Sequence, residues 1–289
     1  MTFEGGMMMK LDALKTLIRV WPGIVVLSLM LSGNVASAQT TQPKPPPKTP
    51  VQKRVTPVVE APTSQQWLSV AAVRLKPEMI NDWVELQKTT VIPALKKAGV
   101  KMREVWQTAQ FGEQFEYFIA TPIDSLAQYD GEPPLRKALG EERYRAYLEK
   151  SRKMVASVHT SADLVRADLS HLGKMNGPPK FAVLTSVYVA PGRGQDLENL
   201  IKAEVLPAVK KTDITGYFVS QTAFGGDVDL YTTVALYDSF ADIGKGSYVV
   251  RGMGQAAYDR FIRKTTGIVK RLERSIIRYN AELSFGSEQ

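Results

Sequence analysis

The hydrophobic pattern from residue 67 onward switches repeatedly between a strand-like and a helix-like period. Residues 67–75 (WLSVAAVRL) and 181–189 (FAVLTSVYV) are apolar runs that stop short of Pro77 and Pro191, and they predict strands. Helical spacing follows at Leu197, Leu200, Ile201, Val205 and Val209, and earlier at Trp83, Leu86, Val91 and Leu95. Pro93 and Pro207 interrupt these helices, so each predicts a kink or a new short turn. Two β-rich runs come next in each half, at 100–108 and 115–121 and at 214–222 and 230–236, with turns at Phe111-Gly112 and Gly225-Gly226. Long helices over about 134–160 and 255–274 then precede last strands at 162–169 and 276–283.

The pattern is written twice. Shifting the sequence by 114 residues lays 67–170 on 181–284 without a gap, and about a quarter of the aligned positions are identical. Val91-Ile92-Pro93-Ala94 meets Val205-Leu206-Pro207-Ala208, Gln107-Thr108-Ala109 meets Gln221-Thr222-Ala223, and Ala167-Asp168-Leu169-Ser170 meets Ala281-Glu282-Leu283-Ser284. Each copy reads β-α-β-β-α-β, an α+β unit of the ferredoxin-like split βαβ type. One such unit covers a single sheet face with helices. Two tandem copies can close their open faces against each other as an α/β barrel within the chain.

In these features the sequence resembles the dimeric α/β-barrel superfamily, in particular its NIPSNAP-like and antibiotic-biosynthesis-monooxygenase-like members. The resemblance covers 67–170 and 181–284. It rests on the strand–Pro–Gly–helix opening Val189-Ala190-Pro191-Gly192-Arg193, the Leu206-Pro207 step late in the first helix, and the aromatic-rich middle strands. It implies a barrel usually made by two chains and here made by fused copies, as in two-repeat relatives such as chlorite dismutases. The chain would then be a monomeric pseudo-dimer or a homo-oligomer of such units. Some of those relatives hold haem through a histidine of the C-terminal copy. This sequence has only His159 and His171, so the expectation is no cofactor and no metal.

The flanking segments are different material. Residues 1–38 have the form of a cleaved signal peptide: Lys10, Lys15 and Arg19, then the apolar run IVVLSLML, then Ala36-Ser37-Ala38 as the cleavage site. The apolar run is far shorter than a spanning helix requires, so the mature chain is expected to be exported, periplasmic or extracellular, with no transmembrane segment. Residues 39–66 hold seven prolines and four cations against one acid, which predicts an extended, disordered linker with a possible envelope partner. Residues 171–180 read as the joint between copies and 285–289 as a tail.

Charge and composition remove several classes. Zero cysteine excludes thiolate metal sites, disulfides and cysteine nucleophiles. The formal charge of +8 is carried mainly by the leader, linker and joint, and the two repeats contribute only +1 and +2, so nucleic-acid binding is not expected. The basic run from Arg251 to Arg278 reads as a solvated face. Gly192-Arg193-Gly194 lacks the third glycine of a dinucleotide turn, and Gly244-Lys245-Gly246-Ser247 lacks the upstream glycine of a phosphate loop.

Candidate chemistry is expected on the open sheet faces. Alternation puts Phe118, Ala120, Leu230, Val234 and Leu236 under the helices, and Tyr117 and Tyr231 inside the barrel. Arg166, Asp168, Asn280 and Glu282 follow on the same inner face, with Arg74 and Tyr188 at matching positions of the first strands. Two readings stay open: a self-satisfied polar network, or a pocket for a small aromatic or anionic ligand. In the pocket reading Arg74, Tyr117, Arg166, Tyr188, Tyr231 and Asn280 bind the ligand, and Asp168 or Glu282 is the weak candidate for a general base. The expected function is a small-ligand-binding or accessory module. A cofactor-independent monooxygenase- or isomerase-like enzyme, or an envelope scaffold without a ligand, are the alternatives.

Overall fold

The computed structural model describes residues 66–175 and 177–286; the expected leader 1–38 and linker residues 39–65 lie outside them. The first repeat runs β1 (Trp67–Leu75), α1 (Ile80–Leu86), α2 (Ile92–Lys97), β2 (Glu104–Thr108), β3 (Glu116–Ile123), α3 (Pro134–Leu139), α4 (Glu141–Met154) and β4 (Val155–Val165). A two-residue strand β5 (His171–Leu172) lies in the joint. The second repeat runs β6 (Phe181–Val189), α5 (Gly194–Leu200), α6 (Leu206–Val209), β7 (Gly216–Phe224), β8 (Leu230–Tyr237), α7 (Phe240–Gly244), α8 (Tyr248–Met253), α9 (Gln255–Lys264) and β9 (Val269–Tyr279).

The strands form one antiparallel sheet in the order β4-β1-β3-β2-β9-β6-β8-β7-β5, and a further β4–β7 pairing closes eight of them into a barrel. Both seams join one repeat to the other. At β2–β9 Trp106, Gln107 and Thr108 face Tyr279, Arg278 and Ile277. At β4–β7 Ala162 to Val165 face Phe224 to Ser220, with a register shift between Ala162 and Asp163. The barrel therefore closes within a single chain.

Pro93 and Pro207 cause no sharp break. Each follows a π turn (Gln87–Val91 and Ile201–Val205) and occupies the first turn of the next helix. There its missing N–H costs little.

The long helices are shorter than the sequence suggests. Gly140, with φ of +74°, splits the first, Gly254, at +81°, stands just before the second, and the last strands begin at Val155 and Val269 and end at Val165 and Tyr279. Each last strand pairs with the first strand of its own repeat along its whole length. That pairing overrides the helical preference of charge-rich stretches such as Lys270-Arg271-Leu272-Glu273-Arg274.

Three apolar clusters define the layers. The helices of the first repeat cover Val73, Leu75, Val105 and Tyr117, and those of the second cover Val187, Val189, Val219 and Tyr231. The barrel interior is filled by Trp106, Ala182, Leu236 and Ile277, with Phe118, Leu184, Val234 and Tyr279 against them. The expected phase of the third strands is thus inverted. Phe118, Val234 and Leu236 point into the barrel, while Tyr117 and Tyr231 lie under the helices. Both faces of these strands are covered, so alternation of apolar and polar positions carries no direction there.

The repeated Ala-Asp/Glu-Leu-Ser motif is an exchange latch. It follows the last strand of each repeat and locks into the other one. Leu169 and Leu283 are fully buried, Leu169 in the second repeat's core and Leu283 in the first's. Ser170 Oγ accepts the Val219 N–H and Ser284 Oγ accepts the Val105 N–H, both at 2.9 Å. Lys202 Nζ meets Asp168 at 2.7 Å and Lys88 Nζ meets Glu282 at 3.0 Å.

Candidate functional site

The latch removes the two expected bases from consideration. Asp168 and Glu282 are not on strands and do not face the barrel interior; each is exposed and ion-paired. Bonds from Arg166, then from Lys202, hold the Asp168 carboxyl down at about 2 despite partial desolvation. A general base working near neutral pH needs the opposite shift.

Arg166 and Tyr231 are brought together, but at the base of α5 under the helices. The Arg166 guanidinium forks between Glu198 and Asp168, with Nη2 at 2.7 Å from Glu198 Oε2 and Nε at 3.0 Å from Asp168 Oδ1. Tyr231 donates its hydroxyl to Glu198 Oε1 at 2.8 Å. The bonds from Arg166 keep Glu198 ionised below its ordinary range, and burial followed by the Glu198 contact pushes the Tyr231 phenol up. This is a closed, self-satisfied network.

The other expected residues are dispersed. Tyr117 packs on Trp83, ring centroids 4.8 Å apart. Asn280 sits in the turn after β9, donating to Gln107 Oε1 at 3.1 Å and accepting the Leu283 N–H. Arg74 and Tyr188 lie at the barrel rim: Arg74 pairs with Glu113 at 3.0 Å, and Tyr188 lies under Arg271 and donates to Glu273.

The concave site lies elsewhere, between the sheet of the second repeat and its helices. It is a cleft of about 440 Å³ walled by β6, β8 and β9 on one side and by α5, α8 and α9 on the other. That volume falls within the roughly 300–1,000 Å³ of small-molecule pockets. Val187, Leu197, Ile201, Val205, Phe261 and Val269 make it apolar. Tyr217, Tyr231, Tyr237, Tyr248 and Tyr258 add phenol rings, and Thr233, Thr265, Ser247 and Ser275 add hydroxyls. Tyr217 hydrogen-bonds Thr233 and is buried, and that burial pushes its phenol up to about 12. Tyr237 stacks on Tyr248 at 4.5 Å, whose hydroxyl is anchored on Asp242 at 2.7 Å.

Arg274, on β9 beside Thr185, is the cation of the lining. It is exposed and has no ion pair among the described residues. Phe111 reaches the same cleft from the β2–β3 turn of the first repeat, held there because its carbonyl accepts the Ile276 N–H at 3.1 Å. Phe111, Ile262 and Leu272 are exposed apolar groups of the lining.

The repeat offset puts different side chains at the equivalent place of the first repeat. Trp83 stands where Leu197 does, Gln87 where Ile201 does, and Arg103 where Tyr217 does. Trp83 packs on Tyr117 with the rings tilted, and Arg103 Nη2 bonds Gln87 Oε1 at 2.8 Å in the buried layer. Arg274, Tyr217, Thr233 and Phe111 were not among the expected site residues. The one signal in the sequence is the pairing of Trp83 with the smaller Leu197 across the repeat, which points to the cleft but not to these four residues.

A histidine-ligated haem does not fit this cleft. Its lining contains no histidine or carboxylate, and His159 and His171 belong to β4 and β5. Among the described residues no group of three or more histidines and carboxylates is placed to hold a metal ion.

No family model and no curated protein matches the chain. Solved structures do. An anthrone oxidase-like protein is 11% identical, with 78% of this chain and 94% of that one covered and a TM-score of 0.54. The chain has the dimeric α/β-barrel fold. A candidate monooxygenase from Fusobacterium nucleatum matches at 10% identity, over 75% and 93% of the two chains, with a TM-score of 0.53. Another from Lactobacillus acidophilus matches at 8% identity, over 74% and 94%, with a TM-score of 0.51. At these identities the structural likeness shows the fold alone, a dimeric α/β-barrel architecture in this chain folded from two tandem repeats.

Proposed function

We propose that this chain is an exported ligand-binding module, and that the cleft of the second repeat takes a small molecule with an aromatic or apolar body and an anionic end. One observation carries the reading. Trp83, packed on Tyr117, stands in one repeat where the much smaller Leu197 lines a 440 Å³ cleft in the other. A cavity of that size forfeits packing energy, so an apolar occupant would recover it. The phenol rings suit an aromatic body, and the free guanidinium of Arg274 suits a carboxylate or sulfonate. The three-part N-terminal sequence supports export.

Binding is favoured over proton-transfer catalysis by the chemistry of the lining. It has no carboxylate, imidazole or thiol, and Tyr217 near 12 is a poor base at neutral pH. Glu198 and Asp168, the nearest carboxylates to Tyr231, are committed to Arg166. The candidate monooxygenases of the same fold keep an oxygenase in view as the activity to assay if a ligand is found.

The test is a titration with anilinonaphthalene sulfonate, which has an aromatic body and one sulfonate. The reading expects saturable fluorescence enhancement at one site in the folded protein. Leu197→Trp, which imports the plug of the first repeat, should abolish it, and Arg274→Met should weaken it while leaving the unfolding midpoint in place. Enhancement that is unchanged in both variants would sink the assignment.

A further inference from the structure

A second opening of about 440 Å³ lies on the other repeat, between the α1–α2 segment and α3–α4. Its lining is basic. Lys97, Arg143 and Lys150 border it, no carboxylate does, and none of the three has an ion pair among the described residues. Thr90 and Tyr147 supply hydroxyl-bearing walls. Behind Tyr147 lies Arg103, almost fully buried, with Nη1 lacking a hydrogen-bond partner and Gln87 as the acceptor for Nη2. Its charge has no carboxylate partner and adds to the positive field of the wall; burial raises the Tyr147 phenol, and the Arg103 charge offsets only part of that.

The equivalent seam of the second repeat is closed by two substitutions. Gly252 stands where Ala138 does, and a Cβ there would overlap the Ala208 carbonyl, so α8 approaches α6 more closely than a side chain allows. Glu204 stands where Thr90 does and takes Lys264 at 2.9 Å, while Lys150, the counterpart of Lys264, is left without a carboxylate. Arg143 has Ala257 as its counterpart, so one cation is present on the open side alone.

We propose that this groove is an anion site for a phosphate group, with Arg143, Lys97 and Lys150 binding the phosphoryl oxygens and Thr90 donating from the floor. A planar guanidinium and two ammonium groups match an oxyanion of several acceptor oxygens better than a single carboxylate. The same headgroup chemistry occurs in free phosphate, in phosphomonoesters and in phospholipids. The site is separate from the cleft of the second repeat.

The experiment titrates the full chain at low ionic strength with inorganic phosphate, with glycerol phosphate and with phosphatidylglycerol vesicles, against matched chloride. The expected result is saturable binding of at least one probe that weakens as salt rises. Thr90→Glu places a carboxylate opposite Lys150 as Glu204 stands opposite Lys264, and should weaken binding about tenfold or more without lowering the unfolding midpoint. Lys150→Glu should do the same and guards against a folding defect in the first variant. Binding of vesicles but neither soluble probe identifies a lipid headgroup as the source; binding of the soluble probes identifies a metabolite phosphate. Absence of saturable binding with all three probes, or binding that both variants leave intact, overturns the proposal.

Discussion

Replacing Arg166 by Met is the most informative perturbation of the polar network. The substitution keeps the aliphatic stem and deletes the guanidinium, leaving Glu198 with Tyr231 alone as its bonding partner. The Glu198 side chain is 11% exposed and that of Arg166 19%, so the pair is screened far less than a surface ion pair. Breaking a buried pair from one side costs about 3–5 kcal/mol. Some exposure and the retained Tyr231 bond place the expected loss near 3 kcal/mol. Asp168 adds little, because it is 45% exposed and keeps Lys202. At about 2–4 °C per kcal/mol for a domain of this size, Tm should fall by roughly 6–12 °C.

The pH dependence gives a sign that a packing defect would not. In the native protein Glu198 is held below its ordinary value of 4.5, so its contribution is present above that value and is lost as pH falls through the lowered folded value. Without Arg166, desolvation and the Asp168 charge oppose ionisation against the Tyr231 bond, and protonation relieves the buried charge. The stability gap between native protein and variant should therefore be widest at neutral pH and narrow below pH 4.5. Urea denaturation across that range is the assay. A loss under about 1 kcal/mol, or a gap that widens on acidification, would refute the account.

Other outcomes follow from single sites. Arg103 is buried with its pKa lowered to about 10 by desolvation, so its charged form opposes folding at neutral pH, and that penalty is relieved only as pH rises through about 10 toward the ordinary arginine value. A double Arg103→Met, Gln87→Leu protein should be at least as stable at pH 7, and a lower urea midpoint would contradict this. Asp163 faces the β4–β7 seam, with Oδ1 unpartnered and its pKa raised by burial, so its ionisation costs stability above its ordinary 3.8. Asp163→Asn should be more stable at neutral pH, with the difference vanishing as pH falls toward 3.8, as followed by thermal unfolding. Gly225, at φ of +81°, abuts the Thr160 carbonyl where a Cβ would overlap it. Gly225→Ala should destabilise by about 2 kcal/mol or more, measured by denaturant unfolding, through strain and overpacking together.

Legibility in the sequence divides along the same physical lines. The element order of both copies and the closure of two open sheets were readable because they rest on periodicity and on one gapless offset. The phase of the third strands was not. Tyr117 and Phe118 are both covered, one by helices and the other by the opposite repeat, and polarity gives no sign to such a strand. The latch escaped for a related reason. Asp168 and Glu282 sit at equivalent positions after a strand, and only the tertiary exchange that buries Leu169 and Leu283 shows that their partners belong to the other repeat. The cleft was half visible: Trp83 and the smaller Leu197 were aligned by the repeat, but their common position under the helices appears only in three dimensions.

The central claim is that the cleft behind Leu197 and Arg274 holds a small molecule. Native mass spectrometry of the chain purified from its own host tests it most directly. The account predicts a mass excess of one small aromatic or apolar acid, released on unfolding and missing from Leu197→Trp protein prepared in the same way. A bare polypeptide mass in the native chain, or the same excess in the filled variant, would contradict it.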